Sequence, residues 1–198
     1  YFCIHISLIK SAMQNEVQNV LKTLKEGGLV LYPTDTVWGI GCDASNPEAV
    51  EKIYKIKKRH DSKALICLVA DSEMLRKYVK KIPESAFDIF KVPEKPTTII
   101  YDGAQNLAEN LIAKDGTIAI RIPNDEFCFQ LLQEFKSAIV STSANISGEP
   151  TPKSFKEITE GILKGVDYIV NLRHDKIMAK PSSIIKLSSD GKVKIIRN

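Results

Sequence analysis

Residues 138–150 of the chain read Ala138-Ile139-Val140-Ser141-Thr142-Ser143-Ala144-Asn145-Ile146-Ser147-Gly148-Glu149-Pro150. The apolar start is typical of the end of a buried β-strand, and the hydroxyls and one amide that follow are too polar to continue a core. In an extended segment Ser141, Ser143 and Asn145 point to the same side, because side chains alternate with period two. Three short hydrogen-bonding groups at the mouth of a sheet suit an oxygen-rich ligand, such as a phosphate or a carboxylate. A loop that only forms its own turns is the alternative interpretation.

Outward from this stretch, helical and extended patterns are mixed irregularly along the chain. Helices are predicted at 11–24, 47–56, 73–79, 84–90, 126–135 and 155–162. Strands are predicted at 29–32, 37–41, 64–69, 97–101, 117–122, 138–141, 168–170, 184–187 and 193–196. The turn signal Asp190-Gly191 joins the last two strands into a hairpin. This mixture predicts a single α/β domain over residues 1–198, built on a twisted sheet with both parallel and antiparallel strand pairs.

The composition favours one globular core. A chain of 198 residues with 43% hydrophobic content can bury a sizeable core. It contains no apolar run near the ~20 residues that a membrane helix needs, and its start lacks the order of a secretory signal. The four cysteines form no Cys-x-x-Cys pair and are expected to be reduced thiols, which predicts a cytoplasmic protein. The three histidines show no metal-ligand spacing, so no metal site is expected.

Positive charge is concentrated in one segment. The net charge of the chain is +4, whereas residues 52–63 alone carry +5, from six basic side chains and one acid. The remainder of the chain therefore sums to −1. This local excess favours an anionic partner at residues 52–63 rather than a generally basic protein.

Lys57 lies on the predicted inner face of the helix at 47–56. It follows Ile53 by four residues, so its ammonium points toward the body of the protein. Burial of that charge is costly unless an anion meets it, and Arg59 and Lys63 in the following loop are free to turn onto the same anion. The alternative is a lysine that is favoured by the C-terminal end of the helix and whose stem lies along apolar surface.

Two further segments carry polar side chains at strand ends. Thr34-Asp35-Thr36 follows the first strand and can either orient a polar substrate or form a turn. Thr117, Ala119 and Arg121 share one face of a strand, where Arg121 can hold a ligand carboxylate or form a structural salt bridge. The chain has no Gly-x-x-x-x-Gly-Lys-Ser/Thr, no Gly-x-Gly-x-x-Gly and no evident nucleophile–base pair. Such a site suits catalysis by positioning and charge neutralisation.

Three motifs occur in the order seen in the YrdC-like threonylcarbamoyl-AMP synthases. They are Pro33-Thr34-Asp35-Thr36-Val37-Trp38-Gly39-Ile40, then Lys57-Lys58-Arg59 with Lys63, then Ser141-Thr142-Ser143-Ala144-Asn145-Ile146-Ser147-Gly148. The resemblance covers residues 28–197. It implies an open twisted mixed sheet with flanking helices around a concave, positively charged cavity, in the short single-domain form. It also implies condensation of L-threonine, bicarbonate and ATP to threonylcarbamoyl-AMP, with release of pyrophosphate.

The resemblance implies roles for particular residues. It implies that threonine is contacted by Thr36, Arg121, Ser141 and Ser182. It implies that ATP is contacted by Lys57, Arg59, Lys63, Thr117, Ser143, Asn145, Thr151 and Arg197, with Lys57 and Arg59 also catalytic. Mg²⁺ is expected to arrive with ATP, without dedicated protein ligands. The partners implied are proteins that transfer the threonylcarbamoyl group to tRNA, and no membrane is involved.

The chain departs from the family pattern at four positions. Ser182-Ser183 stands where the family usually has Ser-Thr before an apolar strand, which makes this match looser. His60 and Ala64 stand where the family often has proline, and Trp38 where it often has tyrosine. The missing prolines affect the loop that follows Arg59, but not its charges. Two other functions also fit the residues: a module that binds double-stranded RNA or tRNA through its basic concavity, and a paralogue that handles another carbamoyl adenylate or has lost activity.

Overall fold

The structure is a computed structural model that describes residues 2–58, 65–92, 95–178 and 180–198, with side chains described from Lys10 onward. Within these residues nine strands join one sheet in the order β7-β1-β2-β6-β3-β5-β4-β8-β9. The strands are β1 (Val30–Pro33), β2 (Trp38–Gly41), β3 (Ile66–Leu68), β4 (Thr97–Tyr101), β5 (Ile118–Arg121), β6 (Ile139–Ser143), β7 (Tyr168–Ile169), β8 (Ser183–Leu187) and β9 (Val193–Arg197). Three neighbouring pairs are parallel (β1–β7, β3–β5 and β4–β8), and the other five are antiparallel. The predicted mixed sheet is confirmed.

Helices flank this sheet. They are α1 (Phe2–Lys25), α2 (Pro47–Ile56), α3 (Ser72–Leu75), α4 (Ser85–Phe90), α5 (Glu126–Phe135) and α6 (Glu160–Leu163), with 3₁₀ turns at Glu109–Leu111 and Phe155–Glu157. The start of α2 follows the predicted capping chemistry, because the Asn46 side chain accepts from the amides of Glu48 and Ala49, both at 3.0 Å. No helix among these is both long and apolar enough to span a bilayer, as far as the described part of the chain extends.

Three predicted helices have the wrong bounds. The first begins well before Ser11, since no glycine or proline in residues 2–10 ends it. The helix predicted at 73–79 stops at Leu75 because Val79 pairs instead with Ala104 in an antiparallel bridge. The helix predicted at 155–162 is divided, because Ile158 is extended there (ψ 125°) and buried.

The two faces of the sheet differ in character. Val140, Cys67, Ile120 and Ile99 are neighbours across β6, β3, β5 and β4, and all four are buried in the apolar core. The alternate residues of the same strands, among them Ser141 and Ala119, stand on the opposite face. The register therefore places the polar end of β6 on the same face of the sheet as Arg121 of β5, with only β3 between the two strands.

Candidate active site

A cavity of about 270 Å³ opens on the face of the sheet that carries Ser141 and Ala119. Ile66 pairs with both of these residues, and Ile100 pairs with Ala119, so four neighbouring strands supply its floor. Seven of the predicted site residues line it: Thr36, Arg121, Ser141, Ser143, Thr151, Ser182 and Arg197. Thr34, Val37, Gly39, Leu65, Ile66, Ile100, Ala119, Thr142, Pro181, Ile184 and Ile196 complete the lining.

The loop between β1 and β2 is both a turn and part of the wall. The Thr34 hydroxyl donates to the Val37 carbonyl (2.8 Å) and accepts from the Thr36 amide (3.1 Å), which closes the turn. It also lies 2.9 Å from the Thr36 hydroxyl. The turn interpretation is therefore confirmed, and Thr36 of the same turn lines the cavity. A role of this segment in orienting a substrate stays a prediction.

Arg121 forms an ion pair at the inner end of the cavity. One terminal nitrogen of its guanidinium donates to Asp35, and the other donates to the Thr36 hydroxyl (3.3 Å). The second oxygen of Asp35 accepts from the backbone amide of Asn124 (3.1 Å). Both side chains are buried, with 4% of Arg121 and 9% of Asp35 exposed. The guanidinium therefore forms a structural salt bridge and also lines the cavity. The sequence did not identify Asp35 as the partner of Arg121, because the two residues are 86 positions apart.

The hydroxyls of β6 face the cavity because this strand is longer than predicted. Gly39 and Ile40 of β2 pair with Ser143 and Thr142, which extends β6 to Ser143. The Ser141 hydroxyl lies close to the backbone of Gly39 in β2, because a Cβ added at position 39 would be only 3.1 Å from it. Burial raises the pKa of the Tyr32 hydroxyl far above its ordinary value, so this neighbour of Ser141 stays a neutral hydrogen-bonding group.

The far wall comes from the last two strands. The Ser182 hydroxyl shares a hydrogen bond of 2.8 Å with Thr98 of β4. The Ser182 carbonyl accepts from two nitrogens of Arg197, at 3.2 and 2.6 Å. Arg197 thereby fixes the backbone of one predicted threonine contact while its own side chain lines the cavity.

Lys57 is buried beneath this site, with 2% of the residue exposed. Its ammonium donates to the carbonyls of Ser143 and Asn145, both at 2.6 Å. The Lys57 carbonyl in turn accepts from the Ser147 amide (2.9 Å), so the end of α2 is joined to the segment that follows β6. Lys57 does not line the cavity. Its direct contact with an anion stays a prediction, and Arg59 and Lys63 lie outside the described residues.

Thr117 and Asn145 are two predicted ATP contacts that do not line the cavity. Thr117 is on the cavity face, two residues before Ala119, but its hydroxyl donates to Asp115 (2.7 Å). This bond lowers the pKa of the Asp115 carboxyl. The Asn145 side-chain amide donates to the carbonyls of Ile146 and Glu149, at 3.0 and 2.7 Å, and its oxygen is buried with no hydrogen-bond partner among the described residues.

A second cavity of about 150 Å³, which was not predicted, borders the Arg121–Asp35 pair at Asp35. Asp35, rather than Arg121, belongs to its lining, with Ile89, Phe90, Val92, Lys95, Pro96, Thr97, Ile122, Pro123 and Asn124. Elsewhere in the described ranges, no three His, Cys, Asp or Glu side chains form a group that could hold a metal ion.

Comparison with known proteins adds independent information. A family model for Sua5, YciO and YrdC proteins, described as "Telomere recombination", matches residues 22–198. The chain is 36% identical over 161 residues to a threonylcarbamoyl-AMP synthase of Pseudoalteromonas translucida, covering 80% of this chain and 86% of that protein. It is also 36% identical over 184 residues to a putative threonylcarbamoyl-AMP synthase of Methanocaldococcus jannaschii, covering 89% and 84%.

Among solved structures, the fold is similar to that of Pyrococcus abyssi Sua5 complexed with L-threonine. The TM-score is 0.73 and the identity is 27%, over 86% of this chain and 50% of that one. The chain therefore spans about half the length of that protein. The match of one family model to most of the chain, together with the two relatives, shows that this chain belongs to the Sua5/YciO/YrdC family.

Proposed function

We propose that this chain is a threonylcarbamoyl-AMP synthase, a nucleotidyltransferase that condenses L-threonine, bicarbonate and ATP to threonylcarbamoyl-AMP and pyrophosphate. The names of the two relatives support this activity, as does the L-threonine complex of the similar Sua5 structure. The observation that carries the proposal is the convergence of Thr36, Arg121, Ser141 and Ser182 on one cavity, although they come from four separate segments.

These four side chains suit a small hydroxylated amino acid. The Arg121 guanidinium at the inner end holds the α-carboxylate of threonine, since a planar fork of N–H donors matches a carboxylate. The hydroxyls of Thr36, Ser141 and Ser182 can each donate or accept, which suits both the amine and the side-chain hydroxyl of the substrate. Apolar neighbours such as Ile66 would meet the methyl group.

ATP would extend from this end along the wall formed by Ser143, Thr151 and Arg197. The proposal is supported by their position in the same cavity as the threonine-side residues. Lys57 orders this wall through the carbonyls of Ser143 and Asn145. The predicted contacts from Thr117 and Asn145 would need an ATP pose that reaches beyond the described cavity, and Arg59 and Lys63 would meet the phosphates from the loop after α2.

The reaction is an attack of one anion on another. Bicarbonate takes up a proton and loses water to give carbon dioxide, and the neutral amine of threonine adds to it and releases a proton, which leaves a carbamate. A carbamate oxygen then attacks the α-phosphorus of ATP, and the bond from this phosphorus to the bridging oxygen of the β-phosphate breaks, which releases pyrophosphate. At ~4 Å and an effective dielectric constant of ~20, each like-charge pair opposes this approach by about 4 kcal/mol. Arg59 and Lys63 would offset that repulsion, together with the Mg²⁺ that arrives as part of the MgATP substrate.

The product is a mixed anhydride of a carbamic acid and AMP, which is prone to hydrolysis. A transferase that accepts the threonylcarbamoyl group, and that modifies tRNA, is therefore the partner we propose. A cytoplasmic location is consistent with the free, buried thiols of Cys42, Cys67 and Cys128.

One assay tests the proposed reaction directly. The protein is incubated with MgATP, bicarbonate and isotopically labelled threonine, and the mixed anhydride is sought by mass spectrometry, with bicarbonate omitted as the control. We expect labelled threonylcarbamoyl-AMP and an equal amount of pyrophosphate. Salt-sensitive binding of double-stranded RNA without any ATP turnover would favour the RNA-binding alternative, and turnover with a carbamoyl donor in place of threonine would favour a paralogue with another carbamoyl adenylate.

A further inference from the structure

The ion pair at the inner end of the cavity has an unusual arrangement. Arg121 lines the main cavity, whereas its partner Asp35 lines a second, smaller cavity. A ligand in the main cavity therefore contacts the guanidinium, while the carboxylate lies on the far side of the ion pair. Since both side chains are more than nine-tenths buried, water screens neither charge well.

Few charged side chains of the described residues reach this cavity. Arg121 and Arg197 are the two in its lining. The Arg197 guanidinium is held at another wall by the Ser182 carbonyl. Among the described residues, the end at Arg121 thus carries one positive and one negative charge, which balance.

A neutral ion pair distinguishes between two kinds of ligand. Both ligands present a carboxylate, which Arg121 attracts and Asp35 repels. Only the zwitterion carries an ammonium, and Asp35 attracts this group and so offsets its repulsion by Arg121. The negative charge of Asp35 therefore raises the affinity for a zwitterion relative to that for a simple carboxylate. We propose that Asp35, as a positioning residue that acts through Arg121, makes this end of the cavity select amino-acid zwitterions over carboxylates that lack an amine.

This selection would serve the chemistry, because only a ligand with an amine can form the carbamate. The inference rests on the proposed function in one respect, namely that threonine occupies this end of the cavity. The contacts of Asp35 also make it a positioning group, since it holds Arg121 with one oxygen and the Asn124 amide with the other. Asparagine has the same shape as aspartate but carries no charge, so this substitution distinguishes the effect of the charge of Asp35 from the effect of its position.

The test compares L-threonine with 2,3-dihydroxybutanoate of matching stereochemistry, in which a hydroxyl replaces the amine. Binding of each is measured by calorimetry to the wild type, to Asp35→Asn and to Asp35→Glu. In the wild type we expect threonine to bind at least ~10 times more tightly than the hydroxy acid. In Asp35→Asn we expect this ratio to fall by about 10- to 100-fold, mainly through tighter binding of the hydroxy acid, since one buried negative charge is gone. Asp35→Glu keeps the charge and should restore part of the preference.

The matched control is Asp125→Asn. Among the described residues, Asp125 forms a second carboxylate–arginine pair, with Arg173; 6% of the Asp125 side chain and 25% of the Arg173 side chain are exposed, and neither residue lines the cavity. Asparagine also preserves the cap of α5, so this variant reports the cost of losing a largely buried ion pair without altering the ligand preference.

Each outcome bears on the proposal. A wild type that binds no threonine refutes the proposed function. A wild type that binds both ligands equally refutes the selection by Asp35, even if no variant folds. An unchanged ratio in Asp35→Asn, with both affinities reduced alike, shows a purely structural role and also overturns the inference.

Discussion

Replacement of Lys57 by methionine tests whether the buried ammonium holds the cavity wall at residues 143–147. Methionine keeps most of the apolar stem but cannot donate to the carbonyls of Ser143 and Asn145, which accept at 2.6 Å. A hydrogen bond from a charged donor contributes about 1.5–3 kcal/mol, so the loss of two is about 3–6 kcal/mol. A domain of this size loses about 2–4 °C in Tm per kcal/mol. The Tm is therefore expected to fall by roughly 6–24 °C.

The assay is thermal unfolding followed by circular dichroism, with Lys55→Met as the matched control. Lys55 lies on the same helix with its side chain 74% exposed, and its pair with Glu51 at 3.9 Å is a surface contact. Such a pair contributes well below ~1 kcal/mol, so the control should melt within ~2 °C of the wild type.

The two interpretations of Lys57 give different results. If the lysine orders the wall, Lys57→Met lowers both the Tm and the affinity for ATP. If it acts only on a bound anion, activity is lost while the Tm stays within ~2 °C of the wild type. That second result would refute the structural role that its contacts indicate.

Three further predictions concern the cavity and the core. Gly39→Ala should weaken threonine binding several-fold in calorimetry, because the added Cβ would lie 3.1 Å from the Ser141 hydroxyl. Gly161→Ala should leave binding unchanged, because its Cβ would meet no atom within 4 Å apart from its chain neighbours and its own helix backbone. Serine should be a substrate about 10- to 200-fold poorer in kcat/KM than threonine, because one methyl group gives only that much discrimination; equal rates would contradict the proposed fit. Burial raises the pKa of the Cys67 thiol to about 12 and also raises that of Cys42 and Cys128. At most one of the four cysteines should therefore react with a thiol reagent at pH 8 before the protein unfolds, and rapid reaction of two or more would contradict this burial.

Much of the secondary structure could be predicted because it depends on local chemistry. The cap of α2 at Asn46 and the hairpin at Asp190-Gly191 are set by side chains and backbone preferences within a few residues. The predictions failed where a distant partner prevails over local preference. Val79 leaves a helical pattern because Ala104 pairs with it, and β6 extends to Ser143 because Gly39 lies opposite.

In the candidate site, too, the features set by local sequence could be predicted and those set by distant contacts could not. Local pattern was sufficient to single out Thr36, Arg121, Ser141 and Ser143 as polar groups at strand ends, since strand periodicity sets which side chains share a face. It could not give Arg121 its partner Asp35, nor direct the Lys57 ammonium to two backbone carbonyls rather than to the cavity. Those contacts join residues 86 or more positions apart. They exist only because the strand order β2-β6-β3-β5 brings the loop after β1, the end of α2 and the end of β5 together, and burial there requires every charge to find a partner.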